Sequence, residues 1–166
     1  MVAPSKPLVG DKGGDKAVMG ALRQKKSGKK SENVKLNSQQ IIEASVKAEA
    51  PNLDVAKVIQ GLNAMANRKM IKFVQIGNTV FTLRDVSPGV AEFHTFTVEP
   101  VPTLIQRYRT AMNTAKEMGY KKLVSYSTSP AFNKIAQETG LPVKISQSQQ
   151  VINGKAVPAF QYEVTV

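Results

Sequence analysis

Cysteine and tryptophan are both absent from this 166-residue chain. Without cysteine there is no disulfide scaffold, no thiolate metal site and no cysteine nucleophile. Histidine occurs once, as His94, which excludes His-rich metal chemistry and any mechanism built on two imidazoles. No serine nucleophile motif accompanies that histidine, so a Ser-His-Asp arrangement has no support. No apolar run approaches the roughly 18 residues of a membrane span. The opening Met1-Val2-Ala3-Pro4-Ser5-Lys6-Pro7 lacks the apolar stretch of a signal peptide. The nearest thing to a phosphate loop, Asp11-Lys12-Gly13-Gly14-Asp15-Lys16, lacks the Gly-Lys-Ser/Thr ending that a P-loop needs. The expected setting is therefore the cytoplasm or the inside of an assembly.

Acidic residues are scarce, 12 against 23 Lys and Arg, which leaves a net charge of +11. That excess is uneven. Residues 1–35 hold nine basic and three acidic groups, while the other 131 residues hold 14 and nine. The first segment is rich in Gly, Pro and Ser, and apart from a possible helical turn at residues 17–24 it offers little apolar surface. It is expected to be a basic arm, disordered on its own, because burial there cannot offset chain entropy. Arg23, Lys25, Lys26, Lys29 and Lys30 form its densest cluster and are the candidate contacts to phosphates or an acidic protein surface. Residues 1–35 contain no aromatic side chain, so any nucleic-acid contact by the arm would be electrostatic and sequence-neutral.

From residue 36 the pattern is that of one folded domain, 36–166. Asn37 or Ser38 caps a helix to about Glu49, Pro51 breaks it, and Asn52 caps a second with Val55, Val58, Ile59 and Leu62 at helical spacing. Strands are expected over 70–76 and 79–83 around Gly77-Asn78, and over 90–98. A long helix follows Pro100 and Pro102 and stops at Gly119. A strand at 121–127, a short helix at 130–138, and strands at 143–152 and 155–166 around Asn153-Gly154 complete the chain. Strand, long helix and strand in succession imply one parallel crossover. The fold class is α/β (α+β): a mixed, mostly antiparallel sheet of about six strands with four helices. Residues 37–83 alone admit a partial winged-helix reading, weakened because the second helix carries only Lys57 before Arg68-Lys69.

This order of elements, and the segment Ser129–Leu141 with its short helix closed by Gly140-Leu141, resembles the GNAT acetyltransferase fold. The resemblance implies coenzyme A bound between the third strand of the meander and the long helix, on a Gly-rich loop. Here that place reads Val98-Glu99-Pro100-Val101-Pro102, with no glycine, two residues lacking an N–H, and an added acid. The tyrosine that often serves as general acid in the family corresponds to Ala136. Glu92 and His94, two apart on one strand, share a face and are candidates for a base; Tyr126 is a candidate for a displaced acid. Arg107, Arg109, Lys121 and Lys122 are candidate secondary contacts. The expectation is a noncatalytic GNAT-like structural or assembly protein without a cofactor, similar to GNAT-like virion proteins of tailed bacteriophages. Its basic arm would hold neighbouring subunits or packaged nucleic acid. The alternatives are an acyl-CoA N-acetyltransferase with an atypical cofactor loop, and a nonspecific nucleic-acid-binding protein.

Overall fold

A computed structural model describes residues 34–166. The basic cluster from Arg23 to Lys30 and the expected helical turn at 17–24 lie outside the described residues. Helix α1 spans Ser38–Glu49 and α2 Val55–Asn67. Strands β1 (Lys72–Ile76), β2 (Thr79–Ser87) and β3 (Val90–Thr97) follow, then α3 (Val101–Glu117), β4 (Lys122–Ser127), α4 (Ala131–Glu138), β5 (Val143–Ile152) and β6 (Lys155–Thr165). They form one six-stranded sheet in the order β1-β2-β3-β4-β6-β5. Among the described residues only the β3–β4 pair is parallel. The β1–β2 hairpin is built into this sheet, which removes the winged-helix reading.

The start of the described chain is tied down by side chains. Asn37 Oδ1 accepts from Gln40 N at 2.8 Å and Gln40 Oε1 accepts from Asn37 N at 2.9 Å, a capping box that starts α1. Asn78, in the β1–β2 turn, accepts from Leu36 N at 2.9 Å and donates to Val34 O at 3.0 Å, as a neighbouring strand would. Gln75 donates to Leu36 O at 2.7 Å and accepts from Ser38 Oγ at 2.8 Å. The cap of α2 is Asp54, which accepts from Lys57 N, and not the Asn52 that its sequence suggests.

Alternation along the strands gives the sheet two different faces. Phe81, Leu83, Ala91, Phe93, Leu123, Tyr162 and Val164 point to one face, where α3 and α4 cover them with Leu104, Tyr108, Met112, Phe132 and Ile135. Edge-to-face ring contacts run from Phe81 to Tyr108 (5.4 Å), on to Phe132 (5.7 Å) and on to Tyr162 (4.9 Å). They tie β2 to β6 through both helices. The buried Tyr108 hydroxyl donates to Thr95 Oγ1 at 3.0 Å, and burial pushes its pKa far above the usual tyrosine value. The opposite face is smaller. There α1 packs Ile41, Ile42 and Val46 on Val80 and Phe96, and α2 adds half-buried Val55, Val58, Ile59 and Leu62. No residue of α2 is fully buried. The apolar core thus lies under α3 and α4, and much of the other face is left polar.

Candidate functional site

β3 and β4 pair at Val90–Lys122, Ala91–Leu123 and Glu92–Val124, and no further. β3 then continues to Thr97 and β4 to Ser127 without joining, so the sheet splays open at this end. Helices α3 and α4 both begin here, because each follows its strand after a three-residue link. Past Glu92 and Val124 the two inner strand edges therefore have no ladder partner in each other, although Thr97 N is taken by Ser45 Oγ at 3.2 Å; an extended chain with amides of its own is the shape complementary to the rest.

Glu92 sits at the last paired position. Arg84 lies opposite it on β2 and the two form an ion pair through Arg84 Nη2 and Glu92 Oε1. His94 Nε2 stands 3.8 Å from Glu92 Oε2, with both side chains largely covered (19% and 17% exposed). Tyr126 follows Val124 by two on β4, which places it on the same face. Burial first, then the nearby Glu92 charge, raise the Tyr126 pKa, and Arg84 opposes the rise. Its hydroxyl therefore keeps its proton at neutral pH. The structure thus gathers all three candidates from two strands onto one face beside the opening. Arg84 was not singled out from the sequence; its register opposite Glu92 depends on the β2–β3 pairing.

The first turn of α3 is where the fold family would hold a diphosphate. Pro100 and Pro102 supply no N–H there. Glu99 precedes them, buried, and its charge is fully compensated. Arg107 donates to it through Nε at 2.9 Å and Nη2 at 2.8 Å, and Thr79 Oγ1 donates at 2.7 Å. Burial pushes the Glu99 pKa up, but the hydrogen bonds from Arg107 and Thr79 and the Arg107 charge outweigh it and hold the carboxyl below its usual range. Gly77, at φ +60°, lets this arginine in: a Cβ there would land on the guanidinium. Arg107 is thus committed to an internal pair. Arg109 is committed too, donating to Thr139 O at 2.7 Å at the C-terminal end of α4.

The fit to an acyl-CoA divides in two. The splayed strands suit the amide-bearing thioester arm, while the first turn of α3 offers neither glycine nor spare cation to the diphosphate. Ala136 is buried in α4, and Tyr162 on β6 donates its hydroxyl to Asn133 Oδ1 of that helix. Burial raises the Tyr162 pKa strongly. At the far end of the sheet, an open concavity of about 460 Å³ is lined by Lys72, Asp85, Gly89 and Tyr120. It is remote from the opening and holds none of the candidates.

No family model matches the chain, and no curated protein matches it. Solved structures do. A chimeric spermidine N-acetyltransferase from Vibrio cholerae superposes with a TM-score of 0.57 at 13% identity, covering 79% of this chain and 93% of that one. A putative acetyltransferase from Acinetobacter baylyi gives 0.54 at 11% identity, covering 80% and 90%. A ribosomal-protein alpha-N-acetyltransferase in complex with coenzyme A gives 0.53 at 14% identity, covering 90% of each chain. These likenesses establish the fold: the chain is built as the GNAT acetyltransferases are.

Proposed function

We propose that this chain transfers an acyl group from a thioester, such as an acyl-CoA, to an amine. The observation that carries the reading is that Glu92, His94 and Tyr126 stand together on one face at the point where β3 and β4 part. Its support also includes the structural neighbours, among them a spermidine N-acetyltransferase chimera and a ribosomal-protein alpha-N-acetyltransferase. A bound thioester would supply the acyl carbon. His94, with Glu92 beside it, takes the proton that the attacking amine loses as the new C–N bond forms. The C–S bond breaks, and the Tyr126 hydroxyl gives its proton to the departing sulfur before regaining one from water. The test is calorimetric titration of the full chain with acetyl-CoA, followed by a thiol-release assay with polyamine and peptide amines. Micromolar binding with turnover supports the proposal; no binding up to millimolar ligand removes it.

A second reading is a noncatalytic module of a larger assembly, such as a phage virion, held through the basic arm. The observation favouring it is the first turn of α3, with its two prolines and the locked Glu99–Arg107 pair. On this reading Arg23, Lys25, Lys26, Lys29 and Lys30 contact acidic neighbours or nucleic acid. A chain lacking residues 1–33, which keeps the Val34–Ser38 strap, would remain folded and lose that binding, and the intact chain's binding would fall steeply with salt.

A further inference from the structure

β5 is an edge strand of ten residues, and its outer side has no neighbour among the described residues. Edge strands normally carry a device against pairing with another chain: a proline, an awkward charge, a bulge or short length. The rest of this sheet has such devices. β1, the opposite edge, is five residues long, and its Gln75 side chain is tied to the 34–38 strap. β6 extends beyond β4 at residues 155–159, and that stretch carries Lys155 and Pro158. β5 has none. From Ile145 to Gly154 there is no charged residue and no proline, in a chain of net charge +11. Two of its side chains, Val151 (75% exposed) and Ile152 (42%), present apolar surface to solvent.

The direction of its backbone groups follows from the hairpin. The two-residue turn Asn153-Gly154 closes on the Ile152–Lys155 pair, and hydrogen-bonded pairs alternate from there. Ser148 and Gln150 therefore face β6, while Ile145, Gln147, Gln149 and Val151 aim their N–H and C=O outward. Pro158 agrees with this phase. It lies opposite Gln149, where the β6 residue owes no N–H to β5.

We propose that this edge pairs with the same edge of a second copy, antiparallel about a two-fold axis at Ser148, joining two sheets into one of twelve strands. The partner is another copy because a +11 chain meets itself at least cost where it carries no charge. The register is also self-complementary. It sets Ile145 against Val151 of the other copy and Gln147 against Gln149, both pairs outward-facing and hydrogen-bonded. It sets Ser148 against itself at a non-hydrogen-bonded position.

Sedimentation equilibrium of the full chain, with Gln149→Pro and Val151→Lys beside it, reads this directly. The intact chain is expected to dimerise at micromolar concentration. Gln149→Pro removes an outward N–H without touching the β5–β6 ladder and weakens the dimer at least about tenfold; Val151→Lys, at an exposed position, does the same with the fold checked by circular dichroism. The chain has no cysteine, so Ser148→Cys adds a single thiol. The two-fold register brings the two Cα atoms to about 4.5 Å, within disulfide range, whereas Gln150→Cys stays far from its own copy. Oxidative crosslinking at 148 and not at 150 supports the proposal. A monomeric intact chain, a dimer indifferent to Gln149→Pro, or crosslinking at 150 instead of 148 overturns it.

Discussion

Two Arg–Glu pairs, each eight residues apart in sequence, sit at different depths, and they teach what depth does to one chemistry. Arg107 and Glu99 meet at the first turns of α3, with Glu99 only 6% exposed and accepting a further hydrogen bond from Thr79. Arg84 and Glu92 meet on the sheet's polar face, with Arg84 50% exposed. In the first pair the Glu99 carboxylate cannot find water if its partner is lost, so the pair belongs to the structure. In the second, water can replace the arginine, and the carboxylate stays available beside His94. Equal spacing and equal residues thus serve stability in one place and leave a usable group in the other.

The strongest way to break that comparison is Arg107→Ala, which strands the Glu99 carboxylate. It is expected to cost about 3 kcal/mol in denaturant melts, toward the low end for breaking a buried pair because Arg107 keeps some water. A loss below about 1 kcal/mol would place both pairs in the same class. Next is the double change Glu92→Gln with His94→Ala. On the proposed function it lowers thiol release at least about 100-fold while the melting temperature stays within a few degrees. The pH dependence of stability sharpens the contrast. The Glu99 carboxyl has a depressed pKa in the fold, so its contribution is full above the unfolded value of 4.5 and disappears as pH falls through the folded value. Glu99→Gln should flatten that acid limb of the stability curve, and an unchanged limb would count against the buried pair. The smallest effect expected is Arg84→Ala, at most about 1 kcal/mol, read in the same melts.

Much of this was legible in the sequence because local signals agreed with the final pairing. β5 and β6 follow from Asn153-Gly154 between two β-rich runs, and α1 begins at the expected Asn37. The parallel crossover from β3 to β4 follows from strand, helix and strand in succession. The placement of α2 was less legible. Its apolar stripe suggests a core helix, yet its residues are only half-buried, because α1 occupies the sheet and α2 packs on α1. At the site, the shared face of Glu92 and His94 could be read from a spacing of two. That Arg107 and Arg109 bind inward could not, since their partners Glu99 and Thr139 are chosen by helix packing. Nor could the arrival of Tyr126 beside Glu92, which rests on three register positions.

Those three positions also say something about the order of folding. The residues they join, such as Glu92 and Val124, are 32 apart in sequence, whereas the β1–β2, β2–β3 and β5–β6 hairpins close over turns of two residues. Hairpins form in microseconds, while a seam between distant segments must first meet the entropy of closing a long loop. The seam between β3 and β4 is thus expected to form late and to be the first part of the sheet to exchange its amide hydrogens, opening as a hinge between two already folded halves.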